Sequence, residues 1–436
     1  MIAKHCATTL KRTIGKSPLW WAKMFKSLRE RWKERTSSAP DFSPEAFDPF
    51  DHSFITAPHP RLAALRDAGI FRCQNGSWIV SRHQDVTEAL AHPALLNSPS
   101  NYAVLNERNS PRYICAAVAN NTLPFLDAPA HTELRKHINR QFQAQLRSQA
   151  LNFQQIAEAK LLATSANKHT DLLSDFASPL CIELICQLLG FEPPDTAQTQ
   201  QLKQWSSWFF YLFSIIPSET VRAELDVALD AFRAYCEQQI ALACQNHQSD
   251  FINELRPLLS AEQLLDNCLL LVADAANADY AIANAMRLIL SSPSLLSQLR
   301  NDNCDLESLA DELLRYDSPS LFIARRTASE VTLSGTSIPA NSGVLLMLAA
   351  ANHDSAVFPH PEKIDVNRAR SPYLSFGKGG HACVGRALVR KLMVASLYAL
   401  QHFPGRLAIR GEMIWEHRAG HRWLRELNVE FSPARG

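Results

Sequence analysis

The sequence predicts a mainly α-helical protein with small β-sheets, and three observations carry that expectation. Glycine is sparse, 14 in 436 residues. Long stretches repeat their apolar residues with the 3.6 period of a helix buried on one face. Strand-like stretches are short and fall around 69–80, around 325–338 and at the C-terminal end. At 46% hydrophobic residues, the chain has ample material for one large core or two smaller ones.

The N-terminal stretch differs in kind from the rest. Residues 1–36 hold ten Lys and Arg against two Glu, a net of +8, while the remainder carries 34 basic and 41 acidic residues, a net of −7. Trp20, Trp21, Met24, Phe25, Leu28 and Trp32 recur at helical spacing, with Lys23, Lys26, Arg29, Arg31 and Lys33 between or opposite them. Ser17-Pro18 is a helix start. A basic amphipathic helix over 17–35 fits peripheral contact with a membrane interface; packing back on the domain is the competing reading. Its apolar run is far shorter than the roughly 20 residues a span requires, and residues 1–16 do not make a signal peptide. No nucleic-acid reader motif accompanies the charge, so no nucleic-acid partner is expected. Residues 37–44, Ser-Ser-Ala-Pro-Asp-Phe-Ser-Pro, read as a linker. The expected division is a tail and linker over 1–38 and a catalytic domain over 39–436.

Ten cysteines without paired short spacings and without a secretory signal point to reduced thiols and a cytoplasmic location. His417 and His421 stand four apart, but Gly420 between them and the lack of a flanking acid argue against a metal site there.

Residues 376–385 read Phe-Gly-Lys-Gly-Gly-His-Ala-Cys-Val-Gly and run into an amphipathic segment over 386–402. Glycine carries no Cβ penalty at positive φ, so Gly377, Gly379, Gly380 and Gly385 free the backbone to turn its N–H groups inward. Amides aimed at Cys383, with the start of the following helix, favour a thiolate. Such a thiolate is a nucleophile, which needs a histidine and an orienting partner, or an axial ligand to haem iron, which needs only its amide donors. An inert buried cysteine is the third reading. A dinucleotide site fits the glycine spacing but lacks its βαβ unit and later acid.

The pattern Phe376-Gly-x-Gly379-x-His381-x-Cys383-x-Gly385-x-x-Leu388-x-Arg390 resembles the haem-binding loop of the cytochromes P-450, the haem-thiolate monooxygenases. Further landmarks cover about 40–436. Glu312-Leu-Leu-Arg315 resembles the family's ExxR motif, whose i, i+3 spacing shares one helix face, and Arg368 matches its third member. His131-Thr-Glu-Leu-Arg135, after Asp127-Ala-Pro129, resembles the family's C-helix motif. Arg325, ten residues before Gly335, matches an arginine that reaches a haem propionate from a strand, with Arg326 the less favoured choice. Arginine suits that task because its fork binds carboxylates bidentately.

The resemblance implies the cytochrome P-450 fold, with haem b between the I and L helices, Cys383 as metal ligand, and Phe376, Gly377, His381 and Gly385 in the haem loop. It implies an oxidoreductase of the bacterial soluble type, of the kind common in secondary metabolism. No flavin or ferredoxin module is visible, so electrons are expected from NAD(P)H through a separate ferredoxin or flavodoxin and its reductase. Arg135, Lys136, Arg140, Lys378, Arg386, Arg390 and Lys391 fall on elements that cover the proximal haem face. The lid falls over 202–235, rich in aromatic residues. The rest of the pocket falls to about 97–123 and 318–324, and Trp423 stands where many relatives carry glycine near the haem edge.

One departure stands out. The segment from Leu269 to Pro293 aligns without a gap with the family's I helix, where an acid followed by threonine delivers protons. Here those places hold Ala276 and Asn277. A proton relay needs an ionisable group, and Asp274, three residues before Asn277, is the available substitute. Asn277 can orient a water, since its amide donates and accepts. The leading expectation is a monooxygenase acting on an apolar or aromatic small molecule. The alternatives are a haem-thiolate enzyme without ordinary oxygen activation, such as a peroxide-driven oxidant, an isomerase or a dehydratase, and a non-catalytic haem sensor.

Overall fold

The computed structural model describes residues 42–433 apart from 102, 149–150, 214–217, 246–249 and 369–371. The basic helix expected over 17–35 lies outside the described residues. Among those described, the longer helices are α1 (His59–Ala68), α2 (His83–Ala91), α3 (Ile114–Asn121), α4 (Ala130–Ser148), α5 (Phe153–Thr164), α6 (Ser178–Leu189), α7 (Thr196–Phe209), α8 (Glu219–Gln245), α9 (Ala261–Ser291), α10 (Leu306–Tyr316) and α11 (Arg386–His402).

Helix α9 is the spine. Its 31 residues are apolar on nearly every side, which a helix tolerates only when buried all round; α6, α7, α8 and α11 pack against it. A capping box starts it, with Gln263 N donating to Ser260 Oγ at 3.1 Å and Ser260 N donating to Gln263 Oε1 at 3.2 Å. Ser292 ends it, and Pro293 opens a new short helix, since proline is tolerated in a first turn but not in a helix interior. Helix α11, which follows the Cys383 loop, also packs against α5 and α10.

The strands are β1 (Ile70–Arg72), β2 (Trp78–Val80), β3 (Leu95–Leu96), β4 (His169–Asp171), β5 (Ile323–Thr327), β6 (Val331–Leu333), β7 (Thr336–Ile338), β8 (Gly343–Leu346), β9 (Arg406–Ile409) and β10 (Asn428–Ser432). They form a five-stranded sheet ordered β1-β2-β8-β5-β3, a three-stranded sheet β4-β10-β9, and the hairpin β6-β7. Ser334 and Gly335 turn that hairpin with φ of 44° and 80°, the left-handed pair a two-residue hairpin turn requires. Strands β3, β4 and β8 were not expected from the sequence. Two or three residues give too short a period to read, and the apolar run in β8 cannot be told from a buried helix segment without its partners. Parallel pairing to β2 and antiparallel pairing to β5 define β8.

Candidate haem-thiolate site

The Cys383 loop is closed by its own backbone. Cys383 N donates to Phe376 O at 2.8 Å, and Gly377 N to Leu374 O at 2.8 Å. Of the four glycines expected at positive φ, only Gly377 (64°) and Gly379 (74°) adopt it, while Gly380 and Gly385 do not. A Cβ on Gly379 would stand 3.3 Å from the carbonyl of Leu90 at the end of α2, so this glycine also allows the loop its close approach. A Cβ on Gly385 would meet Cys383 Sγ at 3.7 Å, ordinary contact.

The amides of Gly385 and Arg386 do point their stabilisation at Cys383, as the loop sequence suggests. Burial outweighs them, and with Asp274 nearby the thiol is pushed up to about 12. A nucleophilic cysteine needs a lowered pKa, so this environment disfavours that reading. It suits a sulfur that loses its proton to a metal.

Basic groups converge on the same loop. The rings of His131 and His381 stack at 3.7 Å. Burial, with His131 and Arg325 close by, holds His381 down at about 3, and burial with Arg135 lowers His131. His131 Nε2 is buried and finds no protein partner. Arg135 Nη2 donates to Ala382 O at 2.5 Å. Among the described residues the Arg325 side chain donates only to the carbonyl of Ala324, beside it on β5, and burial draws its pKa down to about 10. Arg326 follows it on the strand and so points to the other face of the sheet. Asp127 is the acid nearest Arg325, but its oxygens already accept from Asn97 N and Ser98 N at 2.9 and 3.0 Å.

Across the interior lies α9. Asp274 and Cys383 both sit deep in the protein yet keep part of their surface accessible, which is how side chains lining an internal space behave. Burial raises Asp274 to about 7. Asn277 Nδ2 donates to Ala273 O at 2.6 Å, one turn back. That donation fixes the amide's orientation and leaves Oδ1 buried without a partner. Ala276 is fully buried, and its carbonyl accepts from Lys203 Nζ of α7 at 3.0 Å. Lys203 also pairs with Asp279 at 2.7 Å, so the roof is tied to α9 one residue before Asn277.

Beneath the loop, Glu312 receives Arg315 at both carboxylate oxygens, 2.8 Å each, and Arg368 Nε at 2.9 Å. Arg315 is wholly buried and spends its remaining donors on Asn352 O, Pro361 O and Lys363 O. The i, i+3 spacing on α10 thus brings Glu312 and Arg315 together, and the chain around Asp365 delivers Arg368 to the same carboxylate. Of the basic residues expected to stay free on this face, Arg390 is taken by Asp311 at 2.6 Å. Lys136, Arg140, Lys378, Arg386 and Lys391 are exposed. Asp311, Lys203 and Asp279 escaped the sequence reading, as did the amides that Asp127 accepts from, because nothing in a single sequence says which distant cation or amide a carboxylate will meet.

The lid aromatics divide as helix geometry requires. Trp205 packs on Phe232 of α8 at 5.7 Å, whereas Phe210, just after α7, meets Trp423 edge-on at 5.2 Å. Trp423 stacks on Tyr280 of α9, centroids 4.4 Å apart and planes at 4°, so it fills space alongside α9 that a glycine would leave open.

The donor set fits haem. One thiol stands alone, and no carboxylate among the described residues is ion-paired to Arg135 or Arg325. His131 Nε2 lacks a partner. Unmatched cationic groups beside an isolated sulfur suit a metal group that carries its own carboxylates.

Comparison with known proteins agrees. The family model "Cytochrome P450" matches residues 306–405. The chain is 30% identical over 422 residues to cytochrome P450 monooxygenase PikC of Streptomyces venezuelae, covering 92% of this chain and 98% of the relative. It is 31% identical to mycinamicin IV hydroxylase/epoxidase of Micromonospora griseorubida, over 76% of this chain and 82% of the relative. The solved structure of P450BioI in complex with hexadec-9Z-enoic acid ligated acyl carrier protein superposes with a TM-score of 0.76 at 26% identity, covering 87% of this chain and 99% of that one. With the mainly helical fold, the Cys383 loop and the Glu312–Arg315–Arg368 cluster in place, this chain belongs to the cytochrome P450 family of haem-thiolate proteins.

Proposed function

We propose that this P450 is a monooxygenase that inserts one oxygen atom of dioxygen into an apolar or aromatic small molecule. Electrons come from NAD(P)H through a separate ferredoxin or flavodoxin and its reductase. Asp274, an ionisable group of α9 whose charge reaches Cys383, carries this reading, and Asn277 follows it by three residues on the same helix. Bound haem supplies the oxygen activation; Cys383 would be its metal ligand, and His131, Arg135, Arg325 and His381 would hold its carboxylates. The chain's own task is to deliver protons and exclude bulk water. A carboxyl at about 7 holds and releases a proton near neutral pH, where a general acid is most effective. Asn277 Oδ1 is a buried acceptor fixed in direction by its Nδ2 bond to Ala273 O. The named relatives are a monooxygenase and a hydroxylase/epoxidase, which supports the same reaction class.

The exposed Lys136, Arg140, Lys378, Arg386 and Lys391 would attract an acidic electron donor, an effect on association rate that weakens with salt. Among the described residues no helix is long and apolar enough to cross a membrane. A cytoplasmic protein touching the membrane through 17–35 is the location we propose. The test is turnover, with a reconstituted ferredoxin system, of a ligand that perturbs the haem spectrum. Alanine at 276 favours one second reading, a haem-thiolate enzyme that bypasses oxygen activation, and turnover with peroxide alone would select it.

A further inference from the structure

Many of the buried and half-buried arginines of this protein pair with carboxylates. Arg315 and Arg368 share Glu312, Arg287 and Arg422 share Asp317, Arg233 has Asp266, and Arg222 has Asp226. The half-buried Arg135 and Arg325 at the Cys383 loop depart from that pattern, and the acidic cofactor accounts for them; Arg66, which donates to His353 O, and Arg326 on β5 depart from it as well. Arg418 departs from it too, and it lies elsewhere, between the last turn of α7 and the chain leading to β10.

Arg418 is half-buried, and no carboxylate among the described residues lies within ion-pair distance of it. Glu416, the closest acid in sequence, is engaged by Arg425 at 3.3 Å. Nη1 donates to Ser207 O at 2.5 Å and Nη2 to Ser207 Oγ at 3.3 Å, which uses two of the five guanidinium donors. The guanidinium lies over the ring of Tyr211 at 4.3 Å and that of Trp423 at 5.3 Å. Trp423 in turn stacks on Tyr280, one helical turn beyond Asn277 on α9. His421 completes the cluster, 4.5 Å from Trp423, with Nδ1 donating to Ala419 O at 2.9 Å. Burial holds His421 down at about 4, so at neutral pH the charge beside Tyr211 and Trp423 is that of Arg418.

We propose that Arg418 binds the carboxylate end of an amphiphilic substrate, whose apolar body runs from the Tyr211–Trp423 cage along Phe210 and α9 toward the Cys383 side. A fork with three donors that find no partner among the described residues, set beside two aromatic rings, matches a carboxylate in shape and charge. The substrate is thereby oxidised at a carbon remote from its acid group. This deepens the monooxygenase reading and rests on it only in that the bound carboxylate is a substrate. The competing role for Arg418 is a cap for the carbonyl end of α7.

The test titrates the holoenzyme with dodecanoate, methyl dodecanoate and 1-dodecanol, following the haem absorption shift and the heat of binding. Wild type should bind dodecanoate about tenfold or more tightly than either neutral analogue, the scale of a charge-assisted contact. Arg418→Gln should lose that preference while keeping its affinity for methyl dodecanoate within about twofold. Equal affinities in wild type, or no binding of dodecanoate, would overturn the proposal without any variant. Equal weakening of acid and ester in Arg418→Gln would reduce Arg418 to a helix cap. The thiolate absorption of the reduced carbon monoxide complex, read on the same samples, reports the Cys383 assignment separately.

Discussion

The carboxylate of Asp274 on α9 reaches Cys383 of the glycine-rich loop across the interior, adding to the burial that keeps the thiol protonated. No stretch of sequence links them, since they stand over a hundred residues apart. A thiol buried in that setting suits metal ligation better than nucleophilic attack. Cys383→Ser should therefore yield protein whose reduced carbon monoxide complex lacks thiolate absorption. Thiolate absorption persisting in that variant would remove Cys383 as the ligand.

Glu312 binds two arginines that pair with no other carboxylate among the described residues. Removing it with Glu312→Ala strands both charges under the loop, at a cost of about 3–5 kcal/mol. The expected outcome is a large fall in melting temperature together with poor haem retention. A fully loaded variant with wild-type melting would show the cluster to be peripheral.

Acid should destabilise the fold through its buried histidines. Burial, with His59 close by, depresses His353 from 6.5 to about 3, and burial depresses His421 to about 4. Above 6.5 both are neutral folded or unfolded. Below it the unfolded chain takes up protons that the native state refuses, so stability falls as pH drops from 6.5 toward 3. The slope is about 1.4 kcal/mol per pH unit for each histidine. Denaturant titrations across that window should show the decline, and His353→Gln should make it shallower by one proton. An unchanged slope in the variant would contradict the assignment.

Deleting residues 1–36, which hold the net +8, should leave haem loading intact and weaken binding to vesicles containing anionic lipid. Equal vesicle binding by both proteins would end the proposed membrane contact.

What could be read in the sequence was what depends on local spacing. Glu312 and Arg315 are one helix turn apart, the Cys383 loop is contiguous, and the N-terminal charge is a count. What could not be read depends on which distant groups meet. The ion pair of Lys203 with Asp279, the clamp of Asp311 on Arg390 and the cage around Arg418 join residues from separate elements. Opposed effects are also beyond local pattern. The amides at Cys383 favour the thiolate and burial opposes it, and only the folded environment sets that balance.

The most direct test of the proposed proton path is product formed per NAD(P)H consumed in Asp274→Asn, with a ferredoxin system and a ligand that shifts the haem spectrum. If Asp274 is the relocated acid, the ratio should fall several-fold while ligand affinity stays within about twofold, because the loss falls on a step after binding. Reduced oxygen should then appear as superoxide or peroxide, and Asn277→Ala should show the same fault more mildly. An unchanged ratio in Asp274→Asn would contradict the role given to Asp274, and wild-type product formed only with peroxide would contradict the monooxygenase reading itself.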